Sequence, residues 1–522
     1  MSFHNLRTKS LLNKKTIWLT LLSLSVMFSL LTLKSFPFLH SDEPWLSGLA
    51  REISLSGSFA STEPFFDLYP RHPHALKIIF HSLQILFMHW GGYNYLSFRL
   101  MSFFAGLLCL FLFYRINTKL LPHPLLAFGM TTLLSVNIQF IYASHFARQE
   151  ILLLAILCGS ILLLLRKGRG TVVPSAMLIG LGIGFHPNAL IIFLASLAFL
   201  FSQFLFESRK ARDLYIFCGI FLAWGIFFLS LSFYFNSNFI SDYLSFGKSL
   251  GVTSGLAQKF QGFFSYYAKI FLRISGTYYL PEIRVEFLFA LFIIIFSSGK
   301  IFFYGLSKKN HKTIAALLLS LLGLNLGIIL IGRYNATSII FNIPLLLLLL
   351  GQILPGKIKE RNNLLAILVM FSLLGSLYNI IPEVRSRDSY QDYLNAVSSY
   401  VSPEAKVLAN LNLEYYFENG KLLDYRNLSH LPENNLSFST YLAQRKIEYI
   451  ILPQEIETIY QERPRWNDLY GNPHYYYEEL EAFLKESCTL LGEFHAPTYA
   501  MRLVFYMPQK EGWVRVYRID NY

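Results

Sequence analysis

Two adjacent carboxylates, Asp42 and Glu43, stand where the first long apolar run of the chain ends. Ionised groups next to hydrocarbon are costly, so these two must stay hydrated, pair with a cation or take part in chemistry. Asp42 could simply cap a helix that begins near Pro44, because an acidic residue before proline is an ordinary helix start. Alternatively, one carboxylate is a general base or a metal ligand. The spacing alone leaves both interpretations open.

A second polar cluster follows about thirty residues later and again borders an apolar segment. It contains Asp67, Arg71, His72 and His74. The cluster could be a helix start with interfacial cations. The two histidines are only two positions apart, which makes them weak metal ligands without carboxylate partners. A divalent metal is therefore possible, but no cofactor is certain.

Three further polar sites interrupt later apolar runs. His145, Arg148 and Glu150 form one, His186 lies in the second and Arg333 in the third. Arg148 and Glu150 could be an interfacial pair, or Arg148 could bind a phosphate with its rigid fork of donors. Taken together, polar residues at the ends of four apolar segments predict one hydrated pocket at the outer leaflet of a membrane.

The composition excludes most soluble classes. Of 522 residues, 54% are hydrophobic and only 15% are charged, against about 25% charged in soluble domains, and the mean hydropathy is +0.41. A net charge of +13 suggests nucleic-acid binding, but the Lys and Arg residues collect in short clusters between apolar runs, as in cytoplasmic loops. We therefore predict a multi-pass membrane protein that binds no nucleic acid.

The apolar pattern predicts about 11 helical spans, since a span needs about 20 apolar residues. Every second loop is basic, with 19 Lys and Arg residues in six loops against only Glu207 and Glu360. The excess of positive charge predicts that the N-terminus lies inside and the C-terminus outside. The predicted spans are 16–36, 97–116, 124–143, 150–165, 172–185, 188–206, 213–234, 287–306, 313–331, 336–354 and 363–381.

Two regions lie outside these spans. The first external loop, 37–96, contains an interrupted apolar segment, 75–90, that fits an amphipathic helix in the interface. The membrane domain, 1–382, is followed by 383–522, where polar helical patterns alternate with short apolar strands. This pattern predicts a small α/β domain outside the membrane. Its predicted strands are 406–409, 448–452 and 513–517, and its predicted helices are 388–401, 437–446 and 475–487.

Four segments, in order, resemble motifs of the GT-C glycosyltransferases, in particular the protein O-mannosyltransferases and the lipid A aminoarabinose transferase. Residues 39–50 resemble the Asp-Glu motif after the first span, and 66–73 resemble the second motif of the first loop. Residues 95–106 resemble the next span, and 147–154 the Ala-Arg-Pro-Asp pattern of the second external loop. Gln149-Glu150 stands where that family often has Pro-Asp, and His72-Pro73-His74 lacks the double proline.

The resemblance implies a transferase that moves a hexosyl or pentosyl group from a polyprenyl-phosphate donor to a hydroxyl or phosphate of a lipid, glycan or protein acceptor, with inversion. Asp42 would be the base beside Glu43, and the donor phosphate would be bound by Arg148, Arg333 and His72. The substrate would also contact Asp67, Arg71, His74, His145, Glu150 and His186. We expect it in a bacterial inner membrane with its C-terminal domain extracytoplasmic.

A lipid-linked-glycan polymerase, ligase, flippase or transporter would share this architecture. A transporter places charged residues or broken helices at mid-membrane. Here the charges cluster at the outer edge, which favours an enzyme.

Overall fold

The computed structural model describes residues 3–166, 169–207, 209–249, 252, 255–274, 277–385, 389–462, 470–500 and 511–521. These residues are mostly helical, with one small sheet near the C-terminus. The α-helices in chain order are α1 Phe3–Thr32, α2 Asp42–Ser56, α3 Ile78–Gly91, α4 Tyr95–Leu120, α5 Pro124–Ser135, α6 Ile138–His145, α7 Glu150–Leu164, α8 Val172–Leu181, α9 Ala189–Phe206, α10 Ala211–Phe235, α11 Phe239–Ser249, α12 Leu256–Leu272, α13 Arg284–Tyr304, α14 Lys309–Ile331, α15 Asn342–Ile353, α16 Ile358–Val384, α17 Tyr390–Ser398, α18 Phe438–Arg445, α19 Gln454–Glu462 and α20 Tyr477–Ser487.

Every predicted span falls on helix, but fewer segments are long enough to cross a membrane alone. In the described part of the chain, eight helical segments have the required length and apolar character, or nine if α5 and α6 form one span bent by 63°. The bend has a local cause, because the Asn137 side chain accepts hydrogen bonds from the amides of Gln139 and Phe140 and so starts a new helix. The segments predicted at 150–165 and 172–185 are shorter apolar helices.

The apolar surface of these helices identifies a multi-pass membrane protein. In the most apolar stretch of α10, and likewise of α13, only 11% of the residues are buried inside the protein. So large an exposed apolar surface is unfavourable in water and indicates contact with a membrane. Other helices pack tightly through small residues. A Cβ atom on Gly327 of α14 would lie 2.6 Å from Ile191 Cα of α9, so the two helices approach as closely as small residues in membrane bundles permit.

The first loop is built around two helices, α2 and α3. Helix α3 matches the amphipathic segment predicted at 75–90, and it buries Phe80, His81 and Gln84. Helix α2 begins at the carboxylate pair and ends at Ser56, and Gly57, which caps it, has a φ of 67° that suits a residue without a side chain.

The C-terminal region, residues 389–521, contains a mixed five-stranded sheet. Its strands are β1 Val407–Ala409, β2 Leu422–Asp424, β3 Tyr449–Pro453, β4 Cys488–His495 and β5 Trp513–Ile519, in the order β2-β1-β3-β5-β4. Strand β1 pairs in parallel with β2 and β3, and β5 pairs antiparallel with β3 and β4. The predicted strands and helices of this region are confirmed in the described residues. Position 388, the first of the helix predicted at 388–401, lies outside them.

One apolar cluster joins this sheet to the ends of the membrane helices and to the first loop. It includes Phe36, Phe65 and Tyr142 from the N-terminal half, and Val407 and Ile451 from the sheet. The C-terminal region is therefore packed against the residues that carry the candidate site.

Candidate active site

Helix α2 begins at Asp42, and its carboxylate accepts hydrogen bonds from two distant elements. Arg148 Nη1 lies 2.9 Å from Asp42 Oδ2, and Tyr278 Oη donates to the same oxygen at 2.7 Å. Ser41 occupies the N-cap position, so Asp42 is the first helical residue and the capping interpretation is wrong. The Asp42 side chain is 21% exposed, which leaves it accessible to a ligand.

Arg148 connects Asp42 to a second carboxylate. Its Nη2 lies 3.1 Å from Glu150 Oε1, and Thr337 Oγ1 donates to that oxygen at 2.7 Å. Among the described residues, Glu150 Oε2 is buried without a hydrogen-bond partner. The structure thus brings together Asp42, Arg148 and Glu150, three of the residues selected from the sequence. It also shows that the guanidinium is already shared by two carboxylates.

Tyr278 remains a proton donor in this network. Burial raises the pKa of Tyr278 to about 12, although the charge of Arg148 opposes the shift. Its ring also lies 5.2 Å from the Arg148 guanidinium, in cation–π geometry. Arg148 is therefore held in position on both sides.

Glu43, the other member of the pair, has a different environment. Its side chain is fully buried, and Arg99, also fully buried, donates to it through Nε at 2.9 Å and Nη2 at 2.7 Å. The amide of Ala147 lies 3.3 Å from Glu43 Oε2, and Arg99 Nη1 donates to the Leu33 carbonyl at 3.0 Å. This ion pair therefore ties the start of α2 to α4, to the end of α1 and to the segment that carries Arg148.

The second motif of the first loop is organised by another buried ion pair. Arg71 donates to Glu63 through Nε at 2.9 Å and Nη2 at 2.7 Å, and the indole of Trp45 donates to Glu63 at 2.7 Å. Burial opposes ionisation of Glu63, but the charge and hydrogen bonds of Arg71 outweigh it and lower the pKa of Glu63 to about 2. His72 lies further out, with Nδ1 3.3 Å from Asp242 of α11.

Two cations in this region form no salt bridge with any residue in the described part of the chain. Among the described residues, neither Lys77, at the start of α3, nor Arg333, after α14, makes an ion pair or a side-chain hydrogen bond. Burial, followed by the charges of Arg71, Arg333 and Arg148, lowers the pKa of Lys77 to about 8. An unpaired, partly buried cation of this kind is a candidate anion site.

Two histidines lie in the field of Lys77 and are neutral at physiological pH. Burial and then the charge of Lys77 lower the pKa of His74 to about 3. Burial and the charges of Lys77 and Arg333 also bring the pKa of His186 well below its usual range. His74 of the first loop, and His186 and Arg333, which follow separate predicted spans, thus lie within electrostatic range of one lysine that the sequence did not select.

Two predicted substrate ligands are occupied by protein contacts. His145 is fully buried, and its ring nitrogens lie 2.6 Å from Ser29 Oγ and 2.9 Å from the Phe36 carbonyl oxygen. Asp67 accepts from Tyr441 at 2.9 Å and from Arg445, both in the C-terminal region. The burial of His145 leaves it no position for contacting a substrate, whereas Asp67 keeps 21% of its side chain exposed while it binds the C-terminal region.

No metal site is evident in the described residues, where no group of three or more His, Cys, Asp or Glu side chains could hold an ion. Asp42 and Glu150 both contact Arg148, whose positive charge lies between the two carboxylates.

Sequence reasoning missed Lys77, Tyr278 and Thr337. Lys77 had a signal, because a lysine interrupts the apolar pattern of segment 75–90. Tyr278 and Thr337 had none, since each gains its role from a contact across more than a hundred residues.

Comparison with known proteins finds similar folds only among solved structures. No family model matches the sequence, and no curated protein matches it. The structure is similar to ArnT from Cupriavidus metallidurans bound to undecaprenyl phosphate, with 12% identity, a TM-score of 0.49, and coverage of 96% of this chain and 98% of that one. It is also similar to the oligosaccharyltransferase of Archaeoglobus fulgidus in the apo form, with 12% identity, a TM-score of 0.49, and coverage of 86% of this chain and 71% of that one.

A third similar structure is the arabinofuranosyltransferase AftD from Mycobacteria, with 11% identity, a TM-score of 0.43, and coverage of 97% of this chain and 40% of that one. All three are members of the GT-C superfamily. At these identities and TM-scores, the similarities by themselves carry no argument about the reaction.

Proposed function

We propose that the protein is a membrane glycosyltransferase that transfers a sugar from a polyprenyl-phosphate donor to an acceptor hydroxyl or phosphate at the outer face. The observation that carries this proposal is an accessible carboxylate, Asp42, paired with Arg148, whose charge acts on Lys77 together with that of Arg333. Such a site offers a base for an incoming hydroxyl and positive charge for a departing phosphate.

Asp42 acts as the base in this mechanism. The acceptor oxygen attacks the anomeric carbon of the donor, its proton passes to the Asp42 carboxylate, and the bond from carbon to the phosphate oxygen breaks. The Asp42 side chain is 21% exposed, so an acceptor hydroxyl can reach its carboxylate. Attack opposite the leaving phosphate inverts the anomeric configuration.

The leaving phosphate is received by Lys77 and Arg333 in this mechanism. Its negative charge grows as the bond breaks, so fixed cations stabilise the transition state more than the ground state. Arg148, predicted from the sequence as the phosphate ligand, is already paired with Asp42 and Glu150. We therefore assign Arg148 to holding Asp42 in place, with Lys77 in the phosphate-binding role.

The clustering of these residues supports the proposed topology. Asp42, Arg148, His186 and Arg333 follow the first, third, fifth and ninth predicted spans. Loops after odd-numbered spans lie on the same side of a membrane, so an eleven-span chain with its N-terminus inside places all four outside. The basic loops, which follow the even-numbered spans, then face the cytoplasm.

The test is to incubate detergent-purified protein with a panel of polyprenyl-phosphate sugars and a total envelope-lipid extract as acceptor. We expect one donor to release polyprenyl phosphate in step with sugar transfer, and NMR of the product to show inversion at the anomeric carbon. If no donor releases lipid phosphate, but a donor moves across the membrane of vesicles that contain the protein, the protein is a flippase instead.

A further inference from the structure

One asparagine of the C-terminal region binds a continuous stretch of the first-loop backbone. Asn427 Oδ1 accepts hydrogen bonds from three successive amides, those of Asp67, Leu68 and Tyr69, at 3.1, 3.2 and 3.0 Å. Its Nδ2 donates to the Phe65 carbonyl oxygen at 2.9 Å. Because these bonds go to the loop backbone, they hold the path of the chain whatever side chains the loop carries.

Asn427 begins an Asn-Leu-Ser sequon, but the structure gives the side chain another use. Asn427 is fully buried, and both of its polar atoms are engaged. A glycan on this nitrogen is incompatible with the folded protein. The asparagine is a structural connection between residues about 360 positions apart in the chain.

The preceding residue extends this connection to the helix that carries Asp42. The Arg426 guanidinium lies over the ring of Trp45 at 4.5 Å and over that of Phe66 at 5.1 Å. Asp424 fixes Arg426 through a buried ion pair of 2.9 Å. Trp45 lies one turn after Asp42 in α2, so the C-terminal region packs directly against the start of this helix.

Contacts continue along the rest of α2. Ser47 Oγ donates to Tyr415 Oη at 2.9 Å, and Arg51 Nη1 donates to the Phe417 carbonyl at 2.8 Å. Asn419 donates to Glu52 at 2.6 Å. The C-terminal region therefore holds α2 at successive turns, and the carboxylate at its first residue depends on that support.

We propose that the C-terminal region is the positioning element of the active site, with Arg426 and Asn427 as its positioning residues. Neither contacts the reacting atoms. Together they set the path of loop 65–69 and the placement of α2, and through these the position of Asp42 relative to Lys77. This inference rests on the function proposed above.

The first measurement is hydrogen exchange of the full-length protein, which does not depend on activity. Asn427→Ala removes the acceptor for three amides, so exchange at residues 67–69 should accelerate by about tenfold or more. The amides of β1 and β3 should keep their protection, which shows that the sheet is folded. Asn395→Ala, at an exposed position of α17, is the matched control. It should change neither the exchange at residues 67–69 nor the protection of β1 and β3.

The second measurement is sugar transfer by the same variants. A displacement of about 1 Å in a catalytic group costs on the order of 10²-fold in rate, so Asn427→Ala should lower kcat by about that factor, with less effect on the donor KM. Asn427→Asp keeps the acceptor oxygen for the three amides and should recover part of both the protection and the kcat.

The possible outcomes separate this inference from the proposed function. Unchanged exchange at residues 67–69 in Asn427→Ala would overturn the docking contact, and faster exchange with an unchanged kcat would overturn the positioning role. If β1 and β3 also lose protection in Asn427→Ala, Asn427→Asp becomes the deciding variant. A wild-type kcat in Asn427→Asp, together with fast exchange at residues 67–69, would overturn the proposal. A wild-type protein that transfers no sugar but shows the expected exchange would refute the proposed function and leave the docking intact.

Discussion

Replacing Lys77 with methionine tests the proposed phosphate site most directly. Methionine keeps a long, flexible apolar side chain and removes the charge. A unit charge about 4 Å from a phosphate contributes about 4 kcal/mol at an effective dielectric constant near 20. Arg333 remains in the site and water reaches part of it, so we expect a loss of about 10² to 10³-fold in kcat/KM for the donor.

The pH dependence gives a second signature of the same residue. The pKa of Lys77 is lowered to about 8 by burial and by the charges of neighbouring arginines. Donor use by the wild-type protein should therefore decline as the pH rises through about 8, because the lysine loses its proton. Lys77→Arg should not show this decline, since a guanidinium stays charged at every accessible pH.

The free energy of unfolding should rise with pH over the range in which donor use declines. A lysine whose pKa is lower in the folded than in the unfolded protein binds its proton more weakly when folded. Its contribution to the free energy of unfolding therefore rises with pH between about 8 and the ordinary value near 10.4. Below pH 8 the charged lysine costs stability, so Lys77→Met should melt at the same temperature as the wild type or higher.

The assay is release of polyprenyl phosphate over a range of donor concentrations from pH 6 to 9.5, with melting followed on the same samples. Arg115→Met, at an exposed position near the predicted cytoplasmic end of α4, is the control for loss of a positive charge. An unchanged donor kcat/KM in Lys77→Met would refute the phosphate assignment. A large fall in melting temperature would show that the lysine has a structural role instead.

Three further predictions follow from the same network. Asp42→Asn should lower transfer by about 10² to 10⁴-fold at normal expression, because an amide cannot accept the proton, and near wild-type turnover would remove the base assignment. Arg99→Met leaves the buried Glu43 carboxylate unpaired and should cost about 3–5 kcal/mol of stability in unfolding measurements, whereas a loss below 1 kcal/mol would contradict the burial seen here. A cysteine at Lys308 should resist a membrane-impermeant thiol reagent added from outside, while one at Ser58 should react. Labelling of Lys308→Cys from outside would contradict the topology.

The sequence predicted the helices well, because length and apolar character are local properties. It could not predict the break at Asn137, where a side chain captures two amides and divides one apolar run into α5 and α6. In the C-terminal region the buried strands β1, β3 and β5 were predicted. Strand β2 has only three residues, and the largely exposed β4 has no buried apolar face to reveal it.

The candidate site was predictable only in part, and the carboxylate pair shows why. As neighbours in the sequence, Asp42 and Glu43 cannot be distinguished by type or spacing. In the structure, Asp42 is partly exposed and faces Arg148 and Tyr278, whereas Glu43 is fully buried against Arg99. Lys77 was missed for the same reason, since its significance depends on Arg333, which lies more than 250 residues away in the sequence.

The docking of loop 65–69 on Asn427 has a consequence for biosynthesis. A chain emerging from the ribosome presents its N-terminal half first, so Asp42, Lys77, Arg148 and Arg333 are all made before residue 427. Until that asparagine has been synthesised, three loop amides lack their acceptor and α2 lacks the support of the C-terminal region. The nascent protein therefore contains every candidate catalytic group before the contacts that position them exist, and the proposed transfer begins only after residue 427 has been made and has docked on the loop.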